Sequence, residues 1–127
     1  TYQDKGLIKI MDLGEYWETQ TGLPIPLGGI AIKRNIPSEI ARKVNRLVRK
    51  SVEYACANPA SSGEFVKRYA QEMDESVRNQ HIQLYVNNYS VDLGEVGRKA
   101  VNTLFEWARR NKLINDTYEN IFLRSAE

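Results

Sequence analysis

The chain has 127 residues, of which 18 are basic and 16 acidic, with a formal net charge of +2 and a single cysteine. This length suits one ordinary domain, the near balance of charge gives no argument for nucleic acid, and one cysteine excludes an internal disulfide. No apolar stretch approaches the roughly 20 residues that a membrane-spanning helix needs, and no signal-peptide pattern is present. We therefore expect a cytoplasmic protein with neither nucleic acid nor membrane as a partner.

Two short apolar segments predict β-strands. Residues 7–10 alternate and contain β-branched side chains, and residues 30–32 form a brief apolar run. Between them, residues 23–27 include two prolines, which lack an amide donor and favour extended backbone, so this crossing segment is not helical. Because no hairpin turn joins the two strands, we do not expect them to pair with each other.

Helical periodicity dominates the remaining sequence. A short helix is predicted after Asp12, which is a favourable N-cap with Glu15 at capping-box spacing, and it ends at Gly22. Four main helices then follow. They are expected from Pro37 to Asn58, from Gly63 to Glu72, from Asp74 through Tyr85, and from Ser90 or Asp92 to Lys112.

Two residues are candidates for chemistry by type alone. His81 is the only imidazole, and an unperturbed imidazole titrates near neutral pH, so it could act in acid–base catalysis. It aligns with Val77 and Tyr85 on a helix face that should be packed, however, and a structural role is the favoured interpretation. Cys56 is interpreted as a small buried residue, and no Cys/His set with metal-ligand spacing exists, so no metal site is predicted.

The crossing segment ends in Leu27, Gly28 and Gly29. Two glycines allow a ligand or a neighbouring strand to approach the backbone closely, so these residues are candidates for lining a binding cleft. An interdomain linker explains the same residues equally well. From the chemistry of the residues alone, the chain yields no active site.

Several sequence blocks carry a family resemblance. In order, and with the gaps found here, they resemble the 1,4-dihydroxy-6-naphthoate synthase family of menaquinone biosynthesis. The blocks are residues 12–18, 21–29, 70–73, 81–87 and 90–94.

This resemblance implies an α/β parent fold with two lobes, similar to type II periplasmic binding proteins. The chain would be an α-rich C-terminal fragment with about two strands and four main helices. Residues 1–25 would finish the second lobe and start the crossing segment, and residues 26–127 would form the C-terminal part of the first lobe. The strand at residues 30–32 would then pair with polypeptide that is missing here, so we expect the fragment to self-associate or to pair with that segment.

The resemblance also implies an activity. Family members are implied to be lyases that convert cyclic de-hypoxanthine futalosine to 1,4-dihydroxy-6-naphthoate, using a histidine base and no metal or organic cofactor. Thr1 and Tyr2 match only the end of the motif that carries this histidine, so we expect no catalytic residue in the chain and no activity from it alone. Leu27, Gly28 and Gly29 would bind substrate at the lobe crossing.

Two other classes of function remain open. A solute-binding protein of the same architecture would close on its ligand without catalysis, and a cleft lacking a base would mark it. A free-standing helical interaction domain would require that both predicted strands are wrong.

Overall fold

The computed structural model describes residues 2–70, 74–115 and 120–123. Within them, six α-helices and two short 3-10 turns make up the regular structure. The helices are α1 (Leu13–Thr21), α2 (Ser38–Ala57), α3 (Gly63–Tyr69), α4 (Glu75–Tyr85), α5 (Asn88–Val91) and α6 (Gly94–Arg110), and the 3-10 turns are Gln3–Lys5 and Pro59–Ser62. No helix in this part of the chain is both long and apolar enough to cross a membrane.

The chain divides into two compact units. The first contains Thr1–Leu27 and Gly94–Asn115, and therefore includes α1 and α6. The second contains Gly28–Leu93 and Asp116–Glu127, and therefore includes α2 to α5. The proposed division into lobes at residues 25 and 26 stays a prediction.

Capping side chains begin two of the predicted helices. The Asp12 carboxylate accepts hydrogen bonds from the amides of Gly14 and Glu15, and the Asp74 carboxylate accepts one from Val77. Because the first amides of a helix have no carbonyl partner inside it, such caps fix where the helix begins. The predicted N-termini of α1 and α4 are confirmed.

The predicted boundaries are less accurate elsewhere. α6 begins at Gly94 rather than at Ser90 or Asp92, because Asn87 and Ser90 form a capping box that begins the separate short helix α5. α3 ends at Tyr69, and Ala70 has extended backbone. Residues 71–73, which include the predicted end of that helix and most of one family block, lie outside the described residues.

The two predicted strands are wrong. Residues 7–11 and 28–33 carry no regular structure, and the described part of the chain contains helices and turns but no strand. A β-strand requires a ladder of hydrogen bonds to a neighbour, and no described segment supplies one. Most apolar side chains of these segments are correspondingly exposed, reaching 96% at Ile10, whereas Ile32 is half-buried. The expectation of an α/β fold like that of type II periplasmic binding proteins is thereby contradicted.

The helices bury little of their apolar surface. The accessible surface is 11197 Å² for a chain of 14.6 kDa. A folded monomer of that mass exposes about 6,900 Å², and two separate domains of half the mass would together expose about 8,300 Å². The accessible surface of the chain exceeds both reference areas, so the excess does not depend on how the two units are arranged. Among described residues, the buried apolar side chains are Trp17, Leu23, Ala41 and Ala100.

Candidate functional site

α1 places a buried tryptophan against the crossing segment. The Trp17 side chain is only 5% exposed, and its ring meets the Trp107 ring edge-on with centroids 5.1 Å apart. The indole Nε1–H donates a hydrogen bond of 3.1 Å to the Pro24 carbonyl oxygen. A buried indole therefore keeps its polar group satisfied while it fixes the backbone of the proline segment.

A short turn after α1 fixes the same segment at a second point. The Thr21 hydroxyl donates to the Trp17 carbonyl oxygen at 2.8 Å and accepts from the Leu23 amide at 3.1 Å. Gly22 between them has φ +65°, the left-handed conformation that glycine adopts without a steric penalty, and its amide donates to the Glu18 carbonyl. Leu23 is then buried. We call residues 12–24 the tryptophan anchor.

Asp12 begins the anchor. Its Oδ1 lies 3.1 Å from the Glu15 amide and 2.9 Å from the Gly14 amide. The hydrogen bond from the Glu15 amide, followed by that from Gly14, lowers the pKa of the Asp12 carboxyl below its ordinary value of 3.8, with a smaller contribution from the charge of Lys9. A side chain at Gly14 would crowd this carboxylate, because an added Cβ would lie 3.2 Å from Oδ1.

A shallow groove of about 280 Å³ runs beside the first turns of α1. Its polar groups are already engaged, since the Asp12 carboxylate caps the helix and the Lys9 ammonium lies 3.9 Å from the Glu15 carboxylate. The groove brings together no nucleophile and base, and we assign it no chemistry. It is lined by Lys9, Ile10, Met11, Asp12, Glu15, Tyr16 and Thr19.

The three predicted substrate-binding residues come shortly after the anchor in the sequence. Leu27 is the last residue of the first unit and Gly28 the first of the second, and Leu27, Gly28 and Gly29 are all exposed. Neither glycine has a positive φ, and a Cβ added to either would meet no described atom within 4 Å. The conformation of this chain therefore does not require the two glycines, and their role in binding substrate stays a prediction.

His81 and Cys56 both lie at the surface. The His81 ring stacks on Tyr85 with centroids 5.3 Å apart, but the side chain is exposed, so the packed helix face expected around it is wrong for the described residues. The expectation that Cys56 is buried is also wrong. Among residues with described positions, no group of three or more His, Cys, Asp or Glu could hold a metal ion.

The tryptophan anchor is not among the features predicted from the sequence. A signal was available, because Trp17 and Thr21 are four residues apart on one helix face and the turn at Gly22 returns the chain toward that face. What periodicity could not show is that the indole reaches the carbonyl of Pro24, seven residues along the chain.

The regular structure of the described residues is helical, with a proline segment whose backbone is held by the Trp17 indole. The chain belongs to the menaquinone biosynthesis family, whose family model matches residues 1–110. The predicted family resemblance is thereby confirmed.

Two curated relatives have the name 1,4-dihydroxy-6-naphthoate synthase. The protein from Thermus thermophilus is 38% identical over 97% of this chain and 45% of its own length. The protein from Streptomyces coelicolor is 45% identical over 90% of this chain and 40% of its own length. The chain thus spans less than half of the curated relatives it matches.

A solved structure gives a similar result. Protein AF1704 from Archaeoglobus fulgidus is 33% identical to this chain and superposes with a TM-score of 0.79. The match covers 89% of this chain and 43% of the solved chain. The similarity of backbone is therefore spread along this chain and confined to part of the neighbour.

Proposed function

We propose that this chain supplies one part of a 1,4-dihydroxy-6-naphthoate synthase, a lyase that acts on cyclic de-hypoxanthine futalosine in menaquinone biosynthesis. The observation that carries the proposal is the overlap between the family blocks at residues 12–18 and 21–29 and the tryptophan anchor. The two relatives with this enzyme name, each matched over at least 90% of this chain, support it.

The role that fits the geometry is positioning. The indole of Trp17 holds the backbone at Pro24, and the hydroxyl of Thr21 holds it at Leu23. Pro24 lies three residues before Leu27, where the candidate residues 27–29 begin. Backbone held in this way can present amide and carbonyl groups to a substrate, and the absence of side chains at two successive residues lets the substrate approach closely. We therefore propose that these three residues contact the substrate while the base that removes its proton lies elsewhere in the polypeptide.

The chain alone is proposed to be inactive. A general base must come within about 3 Å of the proton that it abstracts. The single imidazole, His81, is exposed and stacks on Tyr85, and the family resemblance assigns the base to a motif of which this chain carries only Thr1 and Tyr2. The proposal also includes association with further polypeptide, because the large exposed apolar surface is costly to leave in water. Cytoplasmic location remains a prediction.

The test is reconstitution. The purified chain would be assayed for release of 1,4-dihydroxy-6-naphthoate from cyclic de-hypoxanthine futalosine, alone and with the part of the Streptomyces coelicolor relative that it does not match. We expect no turnover by the chain alone and measurable turnover by the mixture. Turnover by the chain alone would refute the proposal that the catalytic base lies elsewhere in the polypeptide. A mixture that associates but is inactive would refute the proposed reaction.

A double variant tests the positioning residues. Gly28→Ala with Gly29→Ala should lower kcat/KM of the mixture by about 10-fold to 100-fold, since small displacements of a substrate have effects of that size. The matched control is Gly63→Ala, at a helical glycine where an added Cβ also meets nothing within 4 Å. Equal activities of the two variants would remove Gly28 and Gly29 from the site.

A further inference from the structure

The second unit carries an uncovered apolar stripe on α2. Spacings of four, three and seven residues place Ile40, Val44, Leu47 and Tyr54 on one face of the helix, and all four are exposed, with Leu47 at 57% and Tyr54 at 62%. We call these four residues the α2 stripe. From Ile40 to Tyr54 it is about 21 Å long, which corresponds to four helical turns.

The neighbouring face of the same helix is covered. Ala41 is buried, Val48, Val52 and Ala55 are half-buried, and α2 packs against α5 and the 3-10 turn Pro59–Ser62. α2 therefore has two adjacent apolar faces, of which only one is packed against other elements of the second unit. The unused face resembles the surface that an amphipathic helix leaves for a further helix.

Basic residues border the α2 stripe on its other side. Lys43 lies four residues before Leu47 and Lys50 three residues after it, so both flank that side chain, and Arg46 extends the border. All three are exposed, and among the described residues none of them forms an ion pair. The stripe therefore has a positive edge along one side and a packed edge along the other.

We propose that the α2 stripe docks an amphipathic helix of about four turns that carries Asp or Glu along one flank, within the part of a family polypeptide that this chain does not match. The inference rests on the proposed function. The curated relatives are more than twice as long as the matched region, so the polypeptide that could supply such a helix exists in them. Carboxylates on its flank would complement Lys43, Arg46 and Lys50.

A second copy of this chain fits the stripe poorly. In a two-fold symmetric contact each surface meets itself, so antiparallel α2 helices would place the flank with Lys43 and Lys50 against its own copy. Parallel helices would place that flank against the face of Ala41 and Val48, which is already covered. Both arrangements leave the positive edge without an opposite charge.

The test measures binding of the labelled, unmatched part of the Thermus thermophilus relative by fluorescence anisotropy. Leu47→Asp should weaken binding by about 30-fold or more, as removal of a central apolar contact does. The matched control is Leu84→Asp on α4, where the leucine has nearly the same exposure, 59%. Far-ultraviolet circular dichroism of each variant checks that α2 and α4 remain helical.

A second pair of variants tests the charges. Lys43→Glu with Lys50→Glu should weaken binding by about 10-fold at low salt, and the difference from the unchanged chain should shrink in 1 M NaCl, where charges are screened beyond about 3 Å. The control, Lys67→Glu with Lys99→Glu, makes the same change in net charge at residues outside α2.

The proposal would be overturned if the probe did not bind, or if the test and control variants lost affinity equally. It would also be overturned by a dimer in sedimentation that Leu47→Asp dissociates, or by binding of the stripe to anionic phospholipid vesicles instead. Binding and turnover that both survive Leu47→Asp would overturn this inference alone and leave the proposed function standing. Binding through the stripe without turnover would instead refute the proposed function and leave the docking surface.

Discussion

The tryptophan anchor and the α2 stripe each include part of one helix, α1 and α2 respectively, but they differ in whether the chain itself completes their contacts. In the anchor, Trp17 is 5% exposed and its only polar atom donates to Pro24. In the stripe, Leu47 and Tyr54 remain more than half exposed. Contacts within the first unit therefore complete the anchor, to the nearby Pro24 and to the sequence-distant Trp107, whereas the described residues of the second unit leave the stripe exposed.

This contrast separates two consequences of substitution. Residues of the anchor should determine the stability of the chain by itself, because their contacts are already formed. Residues of the stripe should affect association and leave the stability of the isolated chain almost unchanged, since each of them stays between 40% and 62% exposed.

The largest expected effect is that of Trp17→Ala. Loss of this buried indole, with its contact to Trp107, should lower the free energy of unfolding by about 3–5 kcal/mol. Urea titration followed by the fluorescence of Trp107, the other of the two tryptophans, would measure it. The comparison variant is Tyr54→Ala on the stripe, expected to stay within about 0.5 kcal/mol. Similar losses in the two variants would erase the distinction between anchor and stripe.

A smaller effect is expected from Gly22→Ala. Its φ of +65° is strained for any residue with a Cβ, so the substitution should cost about 1 kcal/mol in the same titration. Gly29→Ala is the control, because its φ is not positive and the added methyl meets no described atom within 4 Å. If Gly29→Ala were the more destabilising of the two, the backbone at the end of the crossing segment would be more constrained than the structure indicates.

The smallest effect concerns the pH dependence of the Asp12 cap. Because the pKa of this carboxyl is lower in the folded chain than its ordinary 3.8, the stabilisation is present above that value and is lost as pH falls through the lowered pKa. Amide exchange of Gly14 and Glu15, measured by NMR, should therefore speed up below about pH 4, relative to the intrinsic rates, as the cap is lost.

Asp12→Asn provides the comparison, because a neutral amide can cap the helix without titrating. In this variant the protection of Gly14 and Glu15 should no longer change over the same acid range. Glu18→Gln, a neutralisation in the same helix that touches no cap, should keep the pH dependence of the unchanged chain. An unchanged acid response in Asp12→Asn would assign the effect to another carboxyl.

Helices were predictable from the sequence because their signals are local. Asp12 and Asp74 cap the helices that follow them, and the apolar spacing of α2 and α6 marks their length, so type and approximate position could be deduced without knowledge of the fold. The start of α6 was missed because the short helix α5, with its own capping box from Asn87 to Ser90, takes up residues that share the same periodicity.

Strands and burial were not predictable in the same way. The pattern at residues 7–10 suits a strand, but a strand also requires a neighbour to which it can form hydrogen bonds. The described residues of this chain supply no such neighbour. His81 was expected on a packed face because helical spacing aligns it with apolar residues, and Cys56 was expected to be buried because cysteine usually is, yet both are exposed. Periodicity identifies a face that can be buried, and only the surrounding chain decides whether it is.

For the candidate site, the sequence by itself determined the membership of a family and the glycines that follow the crossing segment. Both depend only on the identity and order of the residues, which can be read without knowing which residues are neighbours in space. Only the tertiary structure decided that the Trp17 indole holds the Pro24 carbonyl, and that the stripe from Ile40 to Tyr54 stays uncovered. The reason is physical, since a specific hydrogen bond, even between residues seven apart, and the burial of a side chain depend on three-dimensional proximity. A one-dimensional pattern constrains that proximity but does not specify it.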